Sequence, residues 1–399
     1  MKREGAIARE VAAQRRICVV TTTRADYSYY RPILSRIVAA SDLDLQLLVT
    51  GMHLSPWFGS TVRAIEDDGF PIADRVEMLI SGDTPTAIAT SMGVGVIGLS
   101  HAFGRVRPDI LLLLGDRFEM LAAAVAALPF AMPVAHIAGG EATEGAVDDA
   151  ARHAITKLSH LHFVQAAAYR DRVIQMGEEP WRVIVVGAAS LDNLRTLDLL
   201  TPDQLEQRFG IKLDPPPLVV TFHPVTLEAG ESERHIGELL AALDTSEHPV
   251  VFTAPNADAS NHPVGRAIAQ YVDTHPDARA VTSFGPLGYF SLLKYALAVV
   301  GNSSSGIVEA ATFELPVVNV GNRQAGRIRG ANVVDVECDR SAIAAAIRHV
   351  TSPQFRSGLK GLVNPYGDGR ASERIVETLR TTALDSRLLV KRFHEIAPL

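Results

Sequence analysis

An unbroken apolar run limits the fold of this chain more than any other feature of its sequence. The run is Asp109-Ile-Leu-Leu-Leu-Leu, preceded by Pro108 and followed by Gly115-Asp116-Arg117. A run of this kind predicts a strand that is buried on both faces of a parallel sheet. Residues 118–127 have the composition of a helix, and residues 132–137 predict another short strand. The order strand, helix, strand indicates the α/β class.

Acidic side chains follow both predicted strands. Asp116 comes directly after the first strand, and Gly139-Gly140-Glu141 comes directly after the second. Open α/β sheets bind ligands beyond the carboxyl ends of their strands. We therefore expect one group of polar side chains at this edge, made of Asp116, His136, Glu141, Glu144, Asp148 and Asp149, with Arg152 and His153 on the next helix. A solvated acidic loop is the alternative for some of them.

Length, charge and cysteine content narrow the class of protein. The chain has 399 residues, which favours two domains over a single core. Its formal net charge of -7 disfavours a nucleic-acid partner, which requires a basic face. Two distant cysteines, Cys18 and Cys338, fit a reducing cytoplasm. No run approaches the ~18 consecutive apolar residues of a membrane span, and Met1 to Arg16 lacks the apolar centre of a secretion signal.

Strands alternate with helices on both sides of one break in the pattern. Asp214-Pro215-Pro216-Pro217 cannot continue a helix, so we expect a linker at 201–217. The predicted strands are 15–21, 43–51, 109–114, 133–137, 161–165 and 183–187 before the linker, and 218–222, 249–253, 280–281, 297–300 and 317–320 after it. Predicted helices include 30–39 and 84–103.

This pattern predicts two doubly wound, Rossmann-like domains. The first spans 16–200 after a lead-in at 1–15, and the second spans 218–371. Residues 372–399 are expected to form helices that pack back on the first domain. Two such domains would face a central cleft between their carboxyl edges, which is a favoured place for a ligand.

Two strand-to-helix turns have the residues of a phosphate site. The first is Thr21-Thr22-Thr23-Arg24-Ala25-Asp26, where a helix cap with a surface ion pair is an equal alternative. The second is Gly301-Asn302-Ser303-Ser304-Ser305-Gly306. Three serines and a glycine exceed what capping needs, which favours a diphosphate at this turn. Glu309, one turn into the helix, would then accept two ribose hydroxyls.

Together these segments resemble the hydrolysing UDP-N-acetylglucosamine 2-epimerases. The matching motifs are Thr22-Thr23-Arg24-Ala25-Asp26-Tyr27, Val49-Thr50-Gly51-Met52-His53-Leu54-Ser55-Pro56, Gly115-Asp116-Arg117-Phe118-Glu119-Met120, His136-Ile137-Ala138-Gly139-Gly140-Glu141, Asp148-Asp149-Ala150-Ala151-Arg152-His153, Pro255-Asn256-Ala257-Asp258 and Gly301-Asn302-Ser303-Ser304-Ser305-Gly306. The resemblance covers nearly the whole chain after the first fifteen residues. It implies a GT-B architecture and a UDP-sugar substrate that is bound mainly by the second domain.

The resemblance also implies a reaction in two steps, without metal, nicotinamide or other cofactor. UDP is first eliminated to give a glycal, and water then adds while a proton returns to C2 from the other face. The implied catalytic residues are Asp116, Asp148 or Asp149, and His223, with Glu141 as a substitute for a family glutamate at the position of Ala138. The implied substrate-binding residues are Arg24, Asp26, His53, Arg117, Arg152, Asn256, Asp258, Phe284, Ser303, Ser304, Ser305, Gly306, Glu309 and Arg327.

Several of these residues have simpler interpretations. Phe284 stacks on uracil or packs in the core, and Arg327 reaches the substrate or lies in a solvated basic loop. His160 and His162 would share one face of a strand, but no third ligand is apparent, so a metal site is not expected. A homodimer would suit the family.

Three other functions fit the same architecture. A GT-B glycosyltransferase would pass the sugar to an acceptor, although the group of carboxylates speaks against it. A non-hydrolysing epimerase would add UDP back to the sugar. A regulatory module with an inactive site is favoured only by Ala138. The sugar itself, including a 4-acetamido-6-deoxy or a GDP-linked one, stays open at this point.

Overall fold

The computed structural model describes residues 14–82, 84–143, 147–223, 231–253 and 263–396. These residues divide into two compact units. The first unit contains the described residues of 1–140, 151–189 and 372–399, and the second contains those of 141–150 and 190–371. The division therefore falls at 189/190, ahead of the expected linker, whereas the terminal helices group with the first unit. Glu141 to Ala150 group with the second unit although they follow a strand of the first.

The described part of the first unit contains a seven-stranded parallel sheet. Its strands are β1 (Arg15–Thr21), β2 (Leu43–Thr50), β3 (Ile72–Val76), β4 (Ile110–Leu114), β5 (Val134–Ile137), β6 (Leu161–Val164) and β7 (Val183–Val185). Their order is β3-β2-β1-β4-β5-β6-β7, and the neighbouring strands pair in parallel. The chain thus winds outward from β1 in one direction and from β4 in the other.

The described part of the second unit repeats this arrangement with six parallel strands. They are β8 (Leu218–Thr221), β9 (Val250–Thr253), β10 (Ala278–Val281), β11 (Ala298–Gly301), β12 (Val317–Val320) and β13 (Val333–Val336), in the order β10-β9-β8-β11-β12-β13. Val220 and Val300 face one apolar cluster and Val219 and Val299 face another, so both faces of this sheet are covered.

Helices connect the strands in both units. They are α1 (Arg24–Ala39), α2 (Val62–Asp67), α3 (Pro85–Val106), α4 (Phe118–Ala127), α5 (Val147–Leu158), α6 (Ala167–Gln175), α7 (Asp192–Thr196), α8 (Pro202–Phe209), α9 (Ser232–Leu243), α10 (Pro263–Thr274), α11 (Gly285–Tyr295), α12 (Ser304–Val308), α13 (Arg340–Val350), α14 (Pro353–Gly358), α15 (Ala371–Thr381) and α16 (Ser386–Leu389). The predicted α/β class with two doubly wound sheets is confirmed.

The structure differs from the sequence-based expectation in three places. Two edge strands, β3 and β13, were missed because they carry Asp74, Arg75 and Asp335 and are only partly buried. Helix α1 begins six residues earlier than predicted, because Thr23 and Asp26 form a capping box. The segment expected to be a linker contains α8, which has a capping box of its own between Thr201 and Gln204.

Helix α3 is long and apolar enough, by length and composition alone, to cross a membrane, and no other described helix meets that test. Its glycines instead allow close packing within the first unit. A Cβ atom on Gly95 would lie 2.5 Å from the Met78 side chain, and one on Gly98 would lie 2.6 Å from Val76. Leu99 and Phe103 of the same helix are buried. One face of the helix therefore packs against β3 and the segment that follows it.

Candidate active site

Many of the predicted site residues lie near the topological switch point of one of the two sheets. In the first unit the strand order reverses between β1 and β4, and in the second unit it reverses between β8 and β11. Ligands of open α/β sheets bind beyond the carboxyl ends of the strands at such a point. The segments that follow these four strands begin at Thr22, Gly115, Phe222 and Asn302. Each unit therefore has one candidate site.

The turn after β1 is organised by the carboxylate of Asp26. This buried side chain accepts hydrogen bonds from the hydroxyls of Thr21 (2.5 Å) and Thr22 (2.6 Å) and from the backbone N–H of Thr22 and of Thr23 (3.0 Å each). Burial raises the pKa of Asp26, and these hydrogen bonds oppose the rise. Asp26 thus shapes the turn, while Arg24 at the start of α1 is exposed.

His53 supports the same turn from the segment after β2. Its Nε2 lies 3.0 Å from the Thr21 hydroxyl, and its Nδ1 lies 2.8 Å from the Thr61 hydroxyl. The ring is fully buried, and burial lowers the pKa of His53 to about 4. Both ring nitrogens are therefore engaged within the first unit, and the imidazole is neutral at physiological pH.

Asp116 is held at the end of β4 by an arginine of α5. Gly115 turns the chain with a φ of +79°, and the partly buried carboxylate of Asp116 forms an ion pair with the buried Arg152. Arg117 instead binds the fully buried Glu119, with Nη2 to Oε1 at 2.7 Å and Nε to Oε2 at 3.0 Å. The loop thus fixes a carboxylate that keeps some access to solvent.

His136 fixes the backbone directly before Asp116 through a hydrogen bond to Gly115. Its Nε2 lies 2.7 Å from the carbonyl oxygen of Gly115. A carbonyl only accepts hydrogen bonds, so this nitrogen carries the proton and donates it. The Thr156 hydroxyl lies 3.2 Å from Nδ1 and completes the arrangement. Burial lowers the pKa of His136 to about 3, which keeps the ring neutral.

We expect the buried histidines of the first unit, among them His53 and His136, to make it sensitive to acid. In the unfolded chain both rings titrate near 6.5, but in the folded chain they do so only near pH 4 and pH 3. The unfolded state therefore binds more protons between these values, and stability is full above pH 6.5 and is lost as the pH falls. Each ring contributes about 1.4 kcal/mol per pH unit between pH 6 and pH 4.

Tryptophan fluorescence can follow this loss, because Trp57 and Trp181, the two tryptophans of the chain, both belong to the first unit. His136→Gln should reduce the slope of the unfolding free energy against pH by the contribution of one ring, about 1.4 kcal/mol per pH unit between pH 6 and pH 4. His101→Gln, at an exposed position of α3, should leave the slope unchanged. Equal slopes in the three proteins would contradict the assignment.

The loop acids that follow β5 occupy different environments. Glu141 is buried, and its Oε2 lies 3.5 Å from Nη2 of Arg327. Asp149, in the first turn of α5, accepts a hydrogen bond from the backbone N–H of Thr143 at 2.8 Å. Asp148 is exposed. Glu141 is therefore a carboxylate beside an arginine, and Asp149 helps to order its own loop.

In the second unit, Asn302 joins the ends of β8 and β11. Its side chain is buried, accepts from the backbone N–H of His223 at 2.8 Å and donates to the carbonyl of the same residue at 2.8 Å. Gly301, just before it, has a φ of +131°, and a Cβ atom there would lie 2.0 Å from the Thr221 carbonyl oxygen. Burial lowers the pKa of His223 to about 4, with a smaller contribution from the charge of Arg323.

The serine turn combines a cap with donors that can hold an anion. Ser303 caps α12, and its hydroxyl accepts from the backbone N–H of Ser305 at 3.3 Å. Ser304 and Ser305 are partly buried, and Gly306 is buried. Glu309 is buried and accepts from the Ser190 hydroxyl at 2.6 Å; burial raises its pKa. One oxygen of Glu309 is thus already engaged within this unit.

Arg323, which lies near this turn, was missed by the sequence analysis. Arg323 donates to the carbonyl of Asn302 at 3.0 Å, and Gln324 donates to the same oxygen at 2.9 Å. The sequence analysis had proposed no role for Arg323, although a basic side chain after a central strand is a usable signal. Its guanidinium lies at the switch point with His223 and the serines.

The remaining predicted residues fall into two groups. Phe284 is buried, and its ring packs against that of Phe209 with centroids 4.9 Å apart. Glu144, Asn256 and Asp258 lie outside the described residues. In the described ranges no group of three or more His, Cys, Asp or Glu side chains is placed to hold a metal; His162 instead bonds Glu178 at 3.0 Å.

Two doubly wound parallel sheets, each with polar side chains at its switch point, define an α/β protein of the GT-B class. The model of the UDP-N-acetylglucosamine 2-epimerase family matches residues 35–380. The chain belongs to this family.

Two relatives of similar sequence and one solved structure of similar fold agree with this assignment. The UDP-N,N'-diacetylbacillosamine 2-epimerase (hydrolyzing) of Legionella pneumophila is 38% identical over 94% of this chain and 98% of its own length. The polysialic acid biosynthesis protein P7 of Escherichia coli is 33% identical over 96% of this chain and 98% of its own. The crystal structure of the Neisseria meningitidis UDP-GlcNAc 2-epimerase bound to UDP-GlcNAc has a TM-score of 0.80 at 19% identity, and it covers 92% of this chain and 100% of its own.

Proposed function

We propose that this protein is a hydrolysing 2-epimerase that converts a UDP-linked 2-acetamido sugar into UDP and the free sugar with inverted configuration at C2. The proposal rests on the position of Asp116 and on the contacts that hold it. This carboxylate stands at the switch point of the first sheet, paired with Arg152, on a backbone that His136 fixes. A base that removes a weakly acidic C2 proton needs such a fixed geometry. The name of the Legionella pneumophila relative supports the same reaction class.

The first step would be an elimination. A carboxylate takes the C2 proton, the electrons of that bond form a C1–C2 double bond, and the C1–O bond breaks with UDP as the leaving group. The second unit offers the donors that a departing diphosphate needs: Arg323, the serine hydroxyls, the backbone N–H groups at the start of α12 and the neutral His223. These groups stabilise the charge that develops on the leaving oxygen.

The second step would be a hydration of the glycal. Water adds its oxygen to C1, and a proton reaches C2 from the face opposite to the one that lost it. One carboxylate cannot serve both faces, so we assign one face to Asp116 and the other to a carboxylate of the 141–149 loop. Glu141 is the best supported of these, because Arg327 lies beside it. Asp148 and Asp149 remain candidates for the same role.

Product analysis by NMR in deuterated water tests the proposal. Incubation with UDP-N-acetylglucosamine or UDP-N,N'-diacetylbacillosamine alone should release UDP and a free sugar that carries deuterium at C2. Accumulation of an epimeric UDP-sugar without free sugar would instead indicate a non-hydrolysing epimerase. Release of UDP only when an acceptor is added would indicate a glycosyltransferase. A product without deuterium at C2 would contradict the elimination.

We also propose that the free sugar serves as a precursor of a sialic-type acid and that the enzyme works in the cytoplasm as a homodimer. The relative in polysialic acid biosynthesis supports the role as a precursor, and the two free cysteines are compatible with the cytoplasm.

A dimer needs a surface on which two copies can pack. Exposed apolar side chains on one side of the first unit offer such a surface: Ile97 of α3, and Val125, Leu128 and Phe130 at the end of α4. Sedimentation velocity that gives a monomer at micromolar concentration would contradict the dimer.

A further inference from the structure

The first unit contains an apolar cavity for which the catalytic proposal has no use so far. Its volume is about 490 Å³. The apolar part of its wall is formed by Met52, Trp57, Phe58, Leu79, Ile80 and Phe118. These residues come from the segments that follow β2, β3 and β4. The cavity therefore belongs to the carboxyl edge of the first sheet, where this fold binds ligands.

The rim of this cavity is unusually apolar for a surface. Trp57 is 87% exposed, Phe58 47% and Ile80 45%, and Ile88 of α3 is exposed beside them. Single exposed apolar residues are ordinary, but several around one cavity mark a binding site. Trp57 and Phe58 also lie in a short 3-10 turn, Pro56–Phe58, which presents both rings without burying either of them.

The cavity adjoins the proposed catalytic loop. Phe118 is two residues after Asp116 and begins α4. Met52 precedes His53, which supports the turn after β1. A Cβ atom on Gly51 would lie 3.3 Å from Oε1 of Glu119, so the segment after β2 touches the start of α4. A sugar whose C2 reaches Asp116 would therefore have a neighbouring part of its ring next to this cavity.

The chemistry of the wall limits what it can hold. None of the described residues that line the cavity carries a charge, so it does not suit a phosphate. Of its hydroxyls, that of Ser91 is already engaged, since it accepts from the N–H of Ile80 at 2.9 Å and donates to the Ala87 carbonyl at 2.8 Å. Ser55 and Ser81 remain as hydroxyl groups beside an otherwise apolar surface. This suits methyl and acetamido groups better than free sugar hydroxyls.

We propose that this cavity receives the substituents at C4 and C6 of the sugar and selects a 4-acetamido-6-deoxy sugar over one with hydroxyls at both positions. The inference rests on the proposed function, because it takes Asp116 to act at C2. In a pyranose, C4 lies across the ring from C1, so these substituents project away from the diphosphate. A C6 methyl group and the methyl group of a C4 acetamido group then lie against Trp57, Phe58 and Ile80, and a seryl hydroxyl can bond the amide.

The test compares kcat/KM for UDP-N,N'-diacetylbacillosamine with that for UDP-N-acetylglucosamine. We expect the wild-type protein to prefer the first sugar by about 20-fold or more, since two methyl groups become buried and two hydroxyls need not lose their water. Trp57→Ala and Ile80→Asn should each reduce this ratio about fivefold or more, because kcat/KM for UDP-N,N'-diacetylbacillosamine should fall more than kcat/KM for UDP-N-acetylglucosamine. Both positions are exposed, so each variant should fold.

Val38→Asn is the matched control, because Val38 is an exposed apolar residue of α1 in the same unit and does not line the cavity. It should leave the ratio unchanged. The inference is overturned if Trp57→Ala and Ile80→Asn both leave the ratio of the two kcat/KM values unaltered, or if the wild-type protein prefers UDP-N-acetylglucosamine. Neither outcome would contradict the proposed function. A rim variant that changes the mass of the assembly but not the ratio assigns the cavity to a second copy of the chain, which also overturns it. Absence of UDP release from either sugar overturns both proposals.

Discussion

Replacing Asp116 by asparagine should lower kcat by about 10³-fold or more while changing KM only a few fold. The asparagine keeps the size of the side chain and an oxygen that can accept from Arg152, so the loop should keep its shape. The substitution removes the basicity that proton transfer at C2 requires. General acid–base groups contribute roughly 10²–10⁴-fold, and a residual rate is expected from binding and leaving-group stabilisation in the second unit. Steady-state release of UDP measures the effect.

Asp109 offers a matched control on the same strand. It precedes β4 at the opposite end and, like Asp116, pairs with an arginine; its Oδ1 lies 2.8 Å from Nη2 of Arg16. Asp109→Asn removes the same charge from a comparable pair and should leave kcat within about twofold. Equal losses in the two variants would point to a general effect of charge on the fold. Full activity of Asp116→Asn would refute its assignment as a catalytic residue.

The sequence was sufficient to predict those parts of the fold that depend on the burial of apolar residues. Strands such as β4 and β11 are buried, their residues are apolar, and their carboxyl ends carry the polar residues that the predictions selected. The edge strand β3 could not be predicted in the same way, because Asp74 and Arg75 interrupt its apolar pattern. The predictions thus selected polar residues at the ends of central strands and missed the edge strands.

The individual roles of site residues were less accessible, because a motif does not reveal which hydrogen bonds its side chains already make. Asp26 and His53 are polar residues at the right edge of the sheet, yet the structure engages both in shaping one turn. Arg117 is engaged by Glu119. The role of His136 depends on one distance, from its Nε2 to the Gly115 carbonyl, across two strands that are separated in sequence by a helix. No local pattern encodes such a contact.

Replacing Arg182 by leucine should destabilise the first unit by roughly 3–5 kcal/mol, the usual cost of removing one member of a buried charged network. Arg182 is fully buried. Its guanidinium donates to the carbonyl oxygens of Arg387 and Leu388 at 2.8 Å and of Val390 at 3.0 Å, and its Nε lies 2.8 Å from the Glu179 carboxylate. It thus satisfies carbonyls at and beyond the end of α16, and leucine would leave them without this donor, that of the buried Leu388 included.

The same substitution should loosen the C-terminal segment around α16. Other contacts of this segment would remain, among them those of Lys391 with Glu178 and the carbonyl of Ser159 and the hydrogen bond from the His394 N–H to the Gly177 carbonyl at 2.9 Å. Urea denaturation followed by tryptophan fluorescence measures the stability, since Trp181 stacks on the Arg182 guanidinium at 4.3 Å. Limited proteolysis should cut Arg182→Leu near residues 385–391 first. Arg31→Ala, which removes an exposed partner of Asp68, should cost less than about 1 kcal/mol. If Arg182→Leu resembled Arg31→Ala in both assays, the segment would be held by its apolar contacts, such as that of the buried Leu388, and the guanidinium would contribute little.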